Sequence, residues 1–185
     1  MKRTNLTLLW VTVILIVLSI VVPAAISFLI VHVGLLILKY LSTFIHEMGH
    51  FIAGKISGFN IKEVIIGERS KLFSVKIRGT PITFKFGSGG VNVAQLKLTV
   101  QDKIKIRFVL FILGGVSLQL LTLLNVYFFL GIGDQRNLYM PLWFSLILIR
   151  DVVRDLFPRN YYYDNESYPS DGLRLIQILR LQKEG

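Results

Sequence analysis

The sequence predicts a polytopic α-helical membrane protein with about four transmembrane helices and a small β-sheet inserted between the second and third. Three observations carry this. The 185-residue chain is 53% hydrophobic, with a mean hydropathy of +0.61, more apolar than soluble domains usually are. Its apolar residues gather into four long runs. Between the second and third runs the pattern switches to alternation of apolar and polar residues.

Composition narrows the chemistry. Cysteine is absent, so disulfide frameworks, thiolate metal sites and cysteine nucleophiles are excluded. Any metal must be held by histidine, carboxylate or water. The net charge of +10 does not point to nucleic acid once the charges are placed. Eleven Lys and Arg lie between Lys55 and Arg107, against only Glu63, Glu68 and Asp102. Basic residues packed between apolar runs face the anionic cytoplasmic leaflet. The lipid bilayer is therefore the expected surroundings, and no nucleic-acid partner is expected.

Each element follows in order. Met1-Lys2-Arg3 and the apolar run over 6–22 resemble a secretory leader, but no small-residue cleavage site precedes the next apolar stretch. A retained first helix is the expectation. Pro23-Ala24-Ala25 breaks it, since proline cannot continue a helix without losing a backbone hydrogen bond. One unbroken helix from Leu6 to Lys39 would be about 50 Å long, too long for a single crossing. A second helix is expected over 26–56.

Alternation then predicts a β insert over 59–98. Phe73, Val75 and Ile77 alternate with Ser74, Lys76 and Arg78, and Ile82, Phe84 and Phe86 alternate with Thr83 and Lys85. Gly79-Thr80-Pro81 is the expected turn of this hairpin. Weaker strands flank it at 61–66 and 91–96, with Gly87-Ser88-Gly89-Gly90 as a flexible joint. A third helix follows over 106–130, where Gly114, Gly115 and Ser117 allow a close neighbour. The fourth run stays apolar to Ile149, only about 18 Å, so it must continue through Arg150, Asp151, Arg154 and Asp155 to span, over 138–157. A polar tail from Arg159 to Ser170 and an amphipathic helix over 171–182 complete a single membrane-embedded domain, 1–185. The basic residues put both termini and the sheet on the cytoplasmic side.

Within the second helix stands His46-Glu47-Met48-Gly49-His50. Polar and ionisable residues in lipid are costly and usually functional. Residues four apart on a helix lie about 40° apart around the axis and about 6 Å along it, so both imidazoles can reach one Zn²⁺. Glu47 sits beside the first ligand without ligating. Zinc lowers the pKa of a bound water, and the carboxylate takes its proton as the water attacks a carbonyl. Gly49 leaves room for a packed neighbour or a substrate backbone. His32 lies about 21 Å upstream along the axis and reads as a packing or interfacial histidine. A catalytic zinc needs a third protein ligand. From the residues alone it stays open among Asp151, Asp155, Asp164, Glu166 and Asp171.

HEMGH, followed by Ala53-Gly54, Gly58, Ile66-Gly67, Gly114-Gly115 and Ser170-Asp171-Gly172, resembles the site-2 protease family of intramembrane zinc metalloproteases. The resemblance covers nearly all of the chain after Pro23. It implies that His46, His50 and Asp171 bind zinc and that Glu47 is the general base. Three departures stand out. Asp155 occupies the family's asparagine position ahead of Pro158, and the segment from Pro158 to Asp171 is longer than usual. The asparagine-containing element of the third helix reads Gly115-Val116-Ser117-Leu118-Gln119. Asp155 is the second choice of ligand, and Asp155, Gly89 and Gly90 are candidate substrate-binding positions.

The function these features imply is a zinc endopeptidase that cuts a transmembrane protein or membrane-associated peptide near the cytoplasmic face. A membrane helix must unwind before its carbonyl can be attacked, and an unpaired edge of the inserted sheet could hold the unwound segment. A sheet that merely caps the helices or rests on anionic headgroups is the alternative. So is a zinc-binding membrane scaffold or regulator that has lost activity, which the departures around Asp155 and Gln119 would suit. Another integral-membrane zincin would want a glutamate ligand on a later helix, and Glu166 in the polar tail fits that poorly. Oligomeric state is not legible.

Overall fold

The computed structural model describes residues 2–22, 24–87, 89–96, 104–132, 139–163 and 166–180. Two helices open the chain, α1 (Lys2–Val21) and α2 (Ala24–Ile56). The break between them falls where proline forbids continuation, although Pro23 itself lies outside the described residues. α1 packs on α2, and Thr12 Oγ1 lies 2.9 Å from His32 Nε2. That contact gives His32 a polar partner between two apolar helices, the packing role expected of it.

Among the described residues, two helices are long and apolar enough to cross a membrane, Ile26–Ile56 within α2 and Ile104–Phe128 within α3 (Ile104–Ile132). The apolar stretch described in α1 runs only from Leu9 to Ile20. α4 (Tyr139–Leu156) has 18 residues and carries Arg150, Asp151, Arg154 and Asp155 in its last two turns. Of the four crossings expected from sequence, two thus meet the length and hydropathy a span requires.

The insert is a four-stranded sheet of β1 (Phe59–Ile66), β2 (Lys71–Ile77), β3 (Thr80–Lys85) and β4 (Gly90–Leu96), in the order β2-β3-β1-β4. β2 and β3 form the expected antiparallel hairpin, with Val75 opposite Ile82 and Phe73 opposite Phe84. Its turn differs from the expectation by one residue. Arg78 and Gly79 both have positive φ, 48° and 80°, so they form the two-residue loop, and Thr80 and Pro81 already belong to β3. A two-residue hairpin needs positive φ at both central positions to match the strand twist, a condition that a turn centred on Thr80-Pro81 would not meet. β3 then returns beside β1 in parallel, while β4 pairs with β1 antiparallel. This leaves β4 and β2 at the two ends of the sheet.

Packing places the sheet on the helices. Phe59, Ile61, Val64, Ile66 and Ile82 form one core with Phe51 of α2 and with Phe111 and Ile112 of α3. Each such side chain contributes about 1.5–3 kcal/mol when fully buried. The Tyr40 hydroxyl donates to the carbonyls of Ile66, at 3.2 Å, and Lys85, at 3.0 Å, fastening the ends of β1 and β3 to α2. The helices themselves meet backbone to backbone. A Cβ on Gly49 would strike the Gly114 carbonyl, and one on Gly114 would strike Ala53. Small residues at the crossing are what permit this approach. The space left by Gly49 is filled by α3, not by substrate.

The polar tail contains a hairpin. Asn160–Tyr163 and Glu166–Pro169 pair as antiparallel strands β5 and β6, with Tyr161 opposite Tyr168. Three successive tyrosines are good strand formers, a signal that the charged and polar flanks obscured. The hairpin returns the chain to the end of α4, where α5 (Asp171–Arg180) begins.

Candidate metal centre

The spacing of His46 and His50 on α2 brings their rings to a centroid separation of 4.6 Å, nearly perpendicular. Both are buried among α2, α3 and α5, with Glu47 and Asp171. The two Nε2 atoms are 3.0 Å apart. Asp171 Oδ2 is 3.3 Å from His46 Nε2 and 3.1 Å from His50 Nε2. Three ligand atoms from two distant segments therefore converge on one point.

These atoms fit a zinc ion on two observations. Tetrahedral bonds of about 2.1 Å set ligand atoms about 3.4 Å apart, close to the triangle observed. Asp171 Oδ2 is shielded from solvent and takes no hydrogen bond of acceptable geometry. A buried carboxylate oxygen without a donor is costly, and a cation between the three atoms would satisfy it. Burial pushes the Asp171 carboxyl up, but the His46 and His50 imidazoles beside it pull harder and hold it well below the usual carboxylate range.

The far nitrogens of both rings are also engaged. His50 Nδ1 donates to the Phe111 carbonyl of α3 at 2.8 Å. His46 Nδ1 lies 3.1 Å from Gln119 Oε1. Partners of this kind fix the ring and direct the other nitrogen to the metal. α3 can supply them because it lacks a side chain where it passes the site. A Cβ on Gly115 would stand 2.7 Å from both His46 Cε1 and His50 Nε2.

Asp171 is brought in by its two neighbours in the chain, which have distinct tasks. The Ser170 hydroxyl, 3% exposed, accepts from Leu173 N at 3.2 Å and Arg159 N at 3.1 Å and donates to the Phe157 carbonyl at 2.8 Å. It thus caps α5 and ties it to the end of α4. Gly172 permits the contact, since a Cβ there would strike the Leu156 carbonyl. Capping, the ordinary reading of Ser-Asp-Gly, and ligation are compatible because different residues perform them. Ser170→Ala is expected to lower stability by about 0.5–2 kcal/mol, the usual value of a lost cap. It should also weaken zinc binding, and Ser170→Thr should recover both. Thermal unfolding and chelator competition would check this.

The remaining predicted residues fall at varied distances from the centre. Asp155 is outside the converging group: its Oδ2 is 3.6 Å from His46 Nδ1, on the far side of the ring. Arg154 Nε, at 3.1 Å, and the Tyr161 hydroxyl, at 3.3 Å, hold its other oxygen. Asp151 is turned away towards Ser42, 2.7 Å from its hydroxyl. Glu166 lies in β6, and Asp164 lies outside the described residues. Gly90 starts β4 hard against the site, for a Cβ on it would run into the Glu47 carboxylate. Gly89 packs equally closely on Glu68, whose carboxyl burial pushes up against the pull of Lys39 and Arg154. Sequence reasoning missed Ser42 as a participant and treated Gln119 only as a departure. A serine one helical turn before His46, within an apolar run, was the available signal.

A buried histidine pair and a carboxylate, beside a glutamate in a membrane-type helix, define a metallohydrolase centre. A model of peptidase family M50 matches residues 34–167, and the chain belongs to that family, the site-2 proteases. Its members are membrane-embedded zinc metallopeptidases. The matched span takes in His46, Glu47 and His50 and stops short of Asp171, so Asp171's place here rests on geometry. No match was found among curated proteins.

Proposed function

We propose that this protein is a zinc-dependent intramembrane endopeptidase that cleaves a transmembrane or membrane-associated peptide near the cytoplasmic face. The observation that carries the reading is the convergence of His46 Nε2, His50 Nε2 and Asp171 Oδ2 within hydrogen-bond distance of one another, next to Glu47. The three atoms would hold zinc, and Glu47 is left as the base. Zinc, when bound, supplies Lewis acidity that lowers the pKa of water and polarises a carbonyl. Glu47 takes the proton of the attacking water and returns it to the nitrogen of the cleaved peptide bond.

Substrate positioning is supported by the sheet. β4 ends the strand order of the four-stranded sheet, and its first residue, Gly90, packs on Glu47. An unwound peptide added along β4 would present its backbone beside the base. The lack of a side chain at Gly90 is what lets the start of β4 lie against Glu47. The basic residues of the insert favour the cytoplasmic side for the sheet and both termini, with four crossings in the bilayer.

The test is purified protein in detergent, assayed for zinc content and for cleavage of a model transmembrane peptide. Near-stoichiometric zinc with cleavage is the expected result. Full zinc without cleavage of any candidate peptide would favour a scaffold, and absence of zinc would overturn the reading.

A further inference from the structure

A row of buried polar groups leads away from His46 through apolar helices. Gln119 of α3, 1% exposed, and Ser42 of α2 and Asp151 of α4, 0% and 2% exposed, form it. Gln119 Oε1 is 3.1 Å from His46 Nδ1, and its Nε2 donates to Ser42 Oγ at 3.3 Å. The Ser42 hydroxyl donates to Asp151 Oδ2 at 2.7 Å. Arg150 donates to Asp151 Oδ1 at 2.7 and 3.1 Å, and Arg154 lies 3.7 Å from it.

Donor and acceptor roles along this row can be assigned from its far end. Asp151 accepts at both oxygens, from Arg150 at Oδ1 and from Ser42 at Oδ2. Ser42 has one proton, and Asp151 claims it. Ser42 must then accept from Gln119, so the amide nitrogen faces Ser42 and the amide oxygen faces His46. A carbonyl oxygen can only accept, so His46 must carry its proton on Nδ1. Its Nε2 lone pair is then free for the metal. We infer that the row from Asp151 through Ser42 to Gln119 is a positioning device that selects the metal-binding tautomer of His46.

The contrast with His50 gives the device its reason. His50 Nδ1 faces a backbone carbonyl, which cannot turn round. His46 faces a side-chain amide, whose two ends are nearly the same size and differ only in hydrogen bonding. Without Ser42 the amide loses the partner that fixes its direction and can turn to present N–H to Nδ1, which moves the proton to Nε2. Asp155 Oδ2, 3.6 Å from Nδ1, also favours a proton there but is farther away than Gln119. A buried ion pair such as Asp151 with its arginines is weak evidence of stabilisation. Its use here is to set a direction.

This inference rests on the zinc reading, and the experiment separates the two. Zinc affinity is measured by chelator competition on the full chain in detergent. Gln119→Leu should bind zinc about 10–100-fold more weakly than wild type, the usual cost of losing an outer partner of a metal-bound histidine. Ser42→Ala, which removes one oxygen, should weaken binding about 10-fold and carries the test if Gln119→Leu does not fold. The decisive measurement is Ser42→Ala made together with Gln119→Glu. A carboxylate has no N–H end to present, so the loss of Ser42 should then leave zinc affinity unchanged. A purely packing role for Ser42 would cost the same in both backgrounds, and that result, or no loss in either, overturns the inference while the zinc reading stands. A wild type that holds no zinc removes both.

Discussion

Glu47→Gln is expected to keep its zinc and to lose cleavage by about 10²–10⁴-fold, the range that a positioned general base supplies. Glu47 belongs to α2 beside His46, yet it is absent from the converging ligand atoms, which come from His46, His50 and Asp171. Its carboxylate instead packs against the start of β4. Glutamine has the same shape and keeps that packing but cannot take a proton from water. Zinc content and cleavage of the model peptide, measured on one preparation, check this. Wild-type turnover in Glu47→Gln would remove Glu47 from the chemistry, and loss of zinc would make it a structural or ligating residue.

Asp171→Ala is expected to lose zinc by more than the roughly 10–100-fold attached to an outer-shell partner. It removes one of three atoms that meet at 3.0–3.3 Å and leaves two imidazoles facing each other. Activity should disappear with the metal. The fold should survive, because Ser170 still caps α5 and still bonds to the end of α4. Circular dichroism together with zinc titration distinguishes this from unfolding. Asp155→Ala, by contrast, should retain most of its zinc, since Asp155 contacts His46 from the Nδ1 side. If Asp155→Ala proved the more damaging of the two, the assignment of the third ligand would have to be exchanged.

The sequence by itself determined what depends on near neighbours along the chain. Apolar runs marked α2 and α3, and alternation marked β2 and β3, because burial on one face imposes a period of two or 3.6. Four-residue spacing put His46 and His50 on one face of α2 for the same geometric reason. The hairpin that strand propensity in Tyr161, Tyr162 and Tyr163 favours is no part of the sequence expectation for the polar tail, and the turn expected at Gly79-Thr80-Pro81 is made by Arg78 and Gly79. Only tertiary structure decided the rest. No periodicity relates Asp171 to His46, 125 positions earlier. They meet because the β5–β6 hairpin and Ser170 return the chain to the end of α4, and because glycine at 114 and 115 lets α3 lie against α2. The same packing turned Gln119, in sequence only an unexpected amide in an apolar helix, into the partner of His46. A buried polar side chain must find its partner in the folded state, and that partner can lie on any helix.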